Sequence, residues 1–283
     1  MKLPRFEYAT PTTLDEAVAL LASREGAKAL AGGQSLIPAM AFRLGTPSIL
    51  VDLRKIPNLD KIDVTSTGTR LGSRVRWRDI QDSKELTTAQ PLLVAAMEHV
   101  AHYQIRNRGT VGGSLAHADP AAEMPGIAVT CDAEIVLKGK NGGRSVPAKD
   151  FFVGALSTVL ADDELIVEVR LPAWPAKRRW GFQELSPRRG DFAFAGIAAF
   201  YDLDGSGKAT NAHIGVIGAC HRPHRIPEAE AALNGRAVNA ASIRDAAAAA
   251  EKTVNPPDDL HASAAYRRSL VGTLLERVLI KDV

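Results

Sequence analysis

Cysteine is nearly absent from this chain. With only Cys131 and Cys220 in 283 residues, it cannot supply the four clustered thiolates, or a near equivalent, that an iron–sulfur cluster needs. The two isolated thiols are expected to pack as small apolar side chains in a reducing compartment. Charge of one sign is also scarce: 35 Lys and Arg against 32 Asp and Glu leave a formal charge of +3. No basic stripe interleaved with aromatics is present, so nucleic acid is not an expected partner. No apolar run is long enough to span a bilayer, and the N-terminus carries no basic-plus-apolar signal segment. The expectation is a soluble, cytoplasmic protein. No internal repeat or low-complexity segment stands out.

What the chain does have is length enough to bury a core in two or three lobes, and two glycine pairs in suggestive settings. These are Ala31-Gly32-Gly33-Gln34-Ser35-Leu36 and Thr110-Val111-Gly112-Gly113-Ser114. A Gly-Gly step followed by a hydroxyl residue can turn several N–H groups toward one anion without steric cost. Thr13-Leu14-Asp15-Glu16 reads as a capping box opening a helix from about Leu14 to Arg24, with Gly26 suited to its end. A strand over 27–31, a helix over 35–42 with Pro38 in its first turn, and a strand over 48–52 follow. The first glycine loop thus falls at a strand-to-helix junction, where backbone donors and the helix dipole both favour phosphate.

Ile56-Pro57-Asn58-Leu59 reads as a linker into a longer middle region, and the proline-rich, basic run from Leu171 to Arg179 as a second boundary. The lobes expected are 1–55, 56–176 and 177–283. In the middle lobe, 69–72, 133–137 and 164–169 read as strands, and 77–86 and 90–101 as helices. In the last, 179–185, 194–203 and 210–218 suggest a three-stranded antiparallel sheet whose hairpin turn is Asp204-Gly205-Ser206-Gly207. The tail segments 240–253 and Ser263 to Lys281 should be helical.

Three lookalikes are set aside. Gly205-Ser206-Gly207 precedes Lys208 but lies between strands, without the helix a phosphate loop requires. In His221-Arg222-Pro223-His224 the proline breaks any helix that would pair the histidines, and no cysteine or carboxylate cluster accompanies them; a solvated loop is expected and no metal site. Ser114, His117 and Asp119 have the residue types of a hydrolytic triad, but no nucleophile-elbow sequence is present.

Taken in order, Ala31 to Pro38, the run Ile105-Arg106-Asn107-Arg108-Gly109-Thr110-Val111-Gly112-Gly113-Ser114-Leu115-Ala116-His117-Ala118-Asp119-Pro120-Ala121-Ala122-Glu123, and Arg188-Arg189-Gly190-Asp191-Phe192-Ala193 resemble the FAD-binding medium subunits of molybdenum hydroxylases. The resemblance spans nearly the whole chain. It implies an α+β fold of the vanillyl-alcohol-oxidase/PCMH type, with a small βαβ N-terminal lobe, a mixed middle lobe, and the C-terminal sheet with its helices. It implies an FAD diphosphate held by Gly32, Gly33, Gln34 and Ser35, flanked by Ala31 and Leu36, together with Thr110, Gly112, Gly113 and Ser114. His117 and Glu123 would reach ribityl or ribose hydroxyls; the competing reading of Glu123 is a helix-start acid favoured by the dipole. The backbone at Leu165 or Ile166 would touch the isoalloxazine, and Asp191 and Phe192 would reach over it.

In the carbon monoxide dehydrogenase medium chain a tyrosine stands where this chain has Phe192, and histidine is frequent where it has Gln34. The changes tilt the reading toward an aromatic N-heterocycle as the complex's substrate. The alternatives are a carbon monoxide dehydrogenase medium subunit and a non-catalytic nucleotide-binding scaffold, and the competing reading of Phe192 is a core residue. No catalytic residue is expected in this chain, because a flavin subunit's chemistry is electron transfer carried by the cofactor. The resemblance places 2Fe-2S clusters on a small iron–sulfur partner and molybdopterin on a large partner, in a dimer of heterotrimers.

Overall fold

The computed structural model describes residues 2–280. The chain begins with β1 (Glu7–Ala9), α1 (Leu14–Ser23), β2 (Ala27–Leu30), α2 (Leu36–Ala41) and β3 (Ile49–Asp52). Thr13 Oγ1 accepts from the Glu16 amide at 3.1 Å and the Glu16 carboxylate accepts from the Thr13 amide at 3.2 Å, so the capping box forms as read. The three strands make a parallel sheet in the order β1-β3-β2. Its centre, β3, is buried along its whole length beneath Ala17, Val18 and Leu21 of α1. Asp52, buried at the end of β3, is satisfied by the Tyr8 hydroxyl at 2.6 Å and by Arg54, as a buried carboxylate must be.

A 3-10 turn (Leu53–Lys55) leads to β4 (Ile62–Thr65) and β5 (Gly68–Gly72). Next come the helices α3 (Trp77–Asp82), α4 (Lys84–Ala89), α5 (Pro91–Met97), α6 (Tyr103–Arg106), α7 (Val111–His117) and α8 (Glu123–Thr130). The lobe closes with β6 (Glu134–Gly139), β7 (Gly142–Pro147), α9 (Ala148–Phe151), β8 (Phe152–Gly154), β9 (Ser157–Thr158) and β10 (Leu165–Pro172). Strands β4-β5-β10-β6-β7 form an antiparallel sheet in that order. The helix expected over 77–86 divides at Ser83, whose Oγ accepts from the Leu86 amide at 3.3 Å and so starts a new helix. The one expected over 90–101 is shorter, opening with Pro91 in its first turn and ending at Met97.

The last part holds β11 (Arg179–Leu185), β12 (Ala195–Leu203), β13 (Ala209–Ile217), β14 (His224–Arg225), α10 (Pro227–Leu233), α11 (Ala240–Thr253) and α12 (Ala264–Ile280). Lys281, the expected end of the last helix, lies outside the described residues. The sheet has four strands, not three. Arg225 pairs with Gly215 and His224 with Val216 at its edge, so the segment after Pro223 is a short strand and not a loop. Helices α10, α11 and α12 cover one face of this sheet, while α8 packs on the other. Phe182, Ala198, Phe200 and Ile217 thereby join the core of the middle sheet. That shared core fixes the loop between β11 and β12 relative to the glycine loops.

Candidate cofactor site

The two glycine loops, far apart in sequence, meet in space. A side chain on Gly32 would collide with the Arg108 carbonyl and come within 3.0 Å of the Gly109 Cα, so only glycine permits the first loop to lie on the backbone that leads into the second. Gly33 has φ +74°, the left-handed region that glycine enters at no cost. Gln34 Nε2 donates to the Gly32 carbonyl at 3.0 Å and braces the turn. Ser35 precedes α2 without capping it, which leaves its hydroxyl free, and none of the amides from Gly32 to Ser35 donates to another of the described residues. A run of unspent N–H groups at a helix start is an anion cradle.

The second loop is built differently. The Gly112 amide donates to the Ser73 carbonyl at 2.8 Å, and the Gly113 amide to Thr110 Oγ1 at 3.2 Å. Thr110 is the N-cap of α7, and its hydroxyl oxygen serves the helix before any ligand. Backbone donation to an anion is therefore concentrated in the first loop. The second offers the Ser114 hydroxyl and the bare face of Gly113, which is helical and exposed; the positive φ that glycine loops suggest occurs at Gly33 and not at Gly113.

Both loops line one cleft of about 1360 Å³, larger than the 300–1,000 Å³ typical of sites for drug-sized ligands and suited to an elongated dinucleotide. Every candidate residue of the three motifs lies on its wall, Leu165 and Ile166 included. Asp191 and Phe192 sit on the loop between β11 and β12. That loop leans on the turn before α6, since a side chain on Gly190 would come within 2.6 Å of the Ala101 carbonyl. Phe192 is 66% exposed, so it is not a core residue; it lines the cleft from the segment between β11 and β12.

Glu123 is 8% exposed, in the first turn of α8. Burial, then the charges of Glu184 and Asp119, push its carboxyl up to about 8. It starts a helix, as the competing reading has it, and the raised value favours the protonated form, which can donate to a ligand oxygen. Asp119 accepts from the Ala121 amide at 2.9 Å in a turn of its own. No group of His, Cys, Asp and Glu among the described residues is arranged to hold a metal. Burial also raises both cysteine thiols to about 12, consistent with inert packing.

The sequence reading missed the far end of the cleft, where Phe194, His221, Asp259, His261 and Arg267 contribute. Arg267, 4% exposed, donates from Nη1 to the carbonyls of Phe194 (2.7 Å) and Gly218 (3.0 Å), and from Nη2 to Asp259 at 2.7 Å. Although burial pushes the other way, the amides of Ala262 and His261 and the Arg267 guanidinium hold the Asp259 carboxyl down to about 2. In the sequence Arg267 is one of an Arg267-Arg268 pair at the start of the last helix, with nothing to set it apart from its neighbour.

Residues 4–174 match a family model described as the FAD binding domain in molybdopterin dehydrogenase, and residues 180–281 one described as the CO dehydrogenase flavoprotein C-terminal domain. The chain belongs to the FAD-binding medium subunits of the molybdenum hydroxylases. Its cofactor is FAD, and its fold is the PCMH type of FAD-binding fold. The nicotine 6-hydroxylase medium subunit of Paenarthrobacter nicotinovorans is 38% identical over 99% of this chain and 98% of its own. Among solved structures, carbon monoxide dehydrogenase from Hydrogenophaga pseudoflava superposes with a TM-score of 0.96 at 37% identity, over 99% of this chain and 98% of that one. Quinoline 2-oxidoreductase from Pseudomonas putida 86 superposes at 0.94, also at 37% identity and with the same coverage. Like these medium subunits, the chain is the flavin component of an oxidoreductase complex. No helix among the described residues is long and apolar enough to cross a membrane.

Proposed function

We propose that the free amides of Gly32, Gly33, Gln34 and Ser35, with the Ser114 hydroxyl, hold the FAD diphosphate against the start of α2 and the bare surface of Gly113. Ala31 and Leu36 flank that cradle, and Thr110 and Gly112 support it from behind. His117 and Glu123 reach the ribityl or ribose hydroxyls, the backbone at Leu165 and Ile166 lies beside the flavin ring, and Asp191 and Phe192 cover it. What the flavin supplies when bound is reversible two-electron chemistry, linking one-electron 2Fe-2S centres on a partner to an external acceptor. The protein's part is to bind, orient and shield. The observation that carries this reading is the run of unspent amides at the mouth of a dinucleotide-sized cleft.

The substrate class is an aromatic N-heterocycle, oxidised on the large partner. Two features support it: the relatives named for nicotine and quinoline and Phe192, which keeps an aromatic face without a hydroxyl. Replacing Phe192 with alanine should leave most of the phosphate-anchored affinity while shifting the flavin's reduction potential or its reoxidation rate. An unchanged potential and rate, measured by redox titration and stopped flow, would remove Phe192 from the ring's surroundings.

The chain works in the cytoplasm, in lobes 1–55, 56–176 and 177–283, within a dimer of heterotrimers. By itself it binds FAD and oxidises no hydroxylase substrate. Its two buried cysteines cannot carry a cluster, so electrons must enter from another polypeptide. On co-expression with small and large partner subunits, the chain should co-elute with iron and molybdenum in size-exclusion chromatography. Failure to co-elute, or unaided oxidation of a heterocycle, would contradict the assembly.

A further inference from the structure

Arg267, in the first turn of α12, is buried in the far wall of the cleft. Each group it bonds belongs to a different segment of that wall: Nη1 donates to the carbonyls of Phe194 and Gly218, and Nη2 to the Asp259 carboxylate. Phe194 closes the neck of the loop between β11 and β12, its amide donating to the Leu185 carbonyl at 2.8 Å. Arg267 therefore grips the base of the loop that carries Asp191 and Phe192. Gly218, at φ +73°, lies so close to that loop that a side chain on it would collide with the Ala193 carbonyl. Its amide donates to the Pro120 carbonyl at 2.9 Å, in the turn that leads to Glu123. Asp259 Oδ1 accepts from the amides of His261 (2.8 Å) and Ala262 (3.0 Å), which fixes the turn before α12. Arg268, next in sequence, donates instead to the Val254 carbonyl at 3.3 Å and lies outside the cleft wall.

The other side of the β11–β12 loop rests, through Gly190, on Ala101, whose carbonyl is held by Arg106 Nη1 at 2.7 Å. Phe192 stands between these two supports. Packing of α12 on its sheet does not need the Arg267 charge, because Val271, Leu274, Leu275 and Val278 already bury the helix. A cation taken out of water is costly unless its bonds are well made. What an apolar side chain or a lysine cannot supply is a planar fork that meets acceptors from three segments at once. We propose that Arg267 is a positioning residue for the flavin, clamping the base of the β11–β12 loop and thereby holding Phe192 over the isoalloxazine. The proposal rests on the reading that FAD fills the cleft and that Phe192 covers its ring.

The test is a double-mutant cycle on the FAD-loaded full chain, read by the flavin's reduction potential and its reoxidation rate. Arg267→Lys keeps the charge and removes the fork. It should shift whichever of the two properties Phe192→Ala shifts, with the same sign. Asp259→Asn keeps an acceptor for the His261 and Ala262 amides and removes only the carboxylate, on a side chain 40% exposed. It should cause a smaller shift of that sign, and it decides the matter if the buried substitution prevents folding. In a Phe192→Ala background the shift from either variant should be lost, since residues acting through one another do not add. A purely structural role would lower the melting temperature and leave both flavin properties at the parent's values. Folded variants with the parent's potential and rate, or a shift that survives undiminished in the Phe192→Ala background, overturn the proposal alone. A Phe192→Ala chain that matches the parent in both properties, or a parent that binds no FAD, overturns the underlying reading and the proposal together.

Discussion

A Gly113→Val chain is expected to fold and to lose its FAD. Gly113 is in the first turn of α7 with ordinary helical backbone, and a Cβ there would meet only Thr110 Oγ1, at 2.8 Å. The cost to the fold is then that of a β-branched residue in a helix plus a shift of the capping Thr110 hydroxyl, together about 1–2 kcal/mol. The valine methyl groups, however, project from an exposed position on the cleft wall, where the diphosphate must approach. Hydrogen bonds to a charged group contribute ~1.5–3 kcal/mol each; displacing the diphosphate from two of them would weaken binding by about a hundredfold or more. Gly33→Val should have the same outcome by a second route: φ +74° strains any β-branched residue, and the Cβ would press on Ile37 and Leu30 at 3.2 Å. Flavin retention through gel filtration, set beside a circular dichroism melt, separates the two effects. A folded Gly113→Val protein with stoichiometric flavin would show that the second loop does not border the phosphate.

The flavin-free chain should lose stability as pH rises from about 4.5 to about 8, because Glu123 holds its proton more tightly when folded than when unfolded. Below the unfolded value the carboxyl is neutral in both states and its contribution is full. Through the interval the unfolded chain ionises while the folded one must stay protonated, and above the folded value the charge is forced into a buried site beside Glu184 and Asp119. The span corresponds to a loss of the order of 5 kcal/mol. Glu123→Gln removes the titrating group, so its melting temperature should fall less than the parent's across that interval, by roughly 10 °C at the alkaline end. Parallel melting curves for parent and variant would mean that Glu123 titrates normally.

What could be read from the sequence was what is local. The Thr13–Glu16 capping box, the helix over 240–253 and the Asp204 to Gly207 hairpin are all found where the residues place them, because each is decided by bonds within a few positions. The glycine loops were legible for the same reason. Strand β14, two residues at a sheet edge, has no pattern of its own; it exists because Gly215 and Val216 offer it partners. β1, β4 and β7 are likewise held by neighbouring strands. The break at Ser83 shows a cap competing with helix continuation inside one amphipathic stretch. In the cleft, the candidate residues came from the resemblance of three motifs to the flavin subunits, but the far wall and the division of labour between the loops did not. That the Gly112 amide is spent on Ser73, that Arg267 ties Phe194 to Gly218, and that Glu184 lies beside His99 are facts of tertiary contact between segments with no pattern in common.

Everything the cleft is built for depends on this chain binding the flavin itself. Titrating the purified full chain with FAD, while following the visible absorption spectrum and the fluorescence of the flavin, is the measurement. The expected result is saturable binding of one FAD per chain, with a spectrum distinct from the free cofactor's and a bound flavin that can be reduced and reoxidised. A spectrum that stays that of free FAD, with no saturation, would contradict it and leave a nucleotide-holding scaffold in its place.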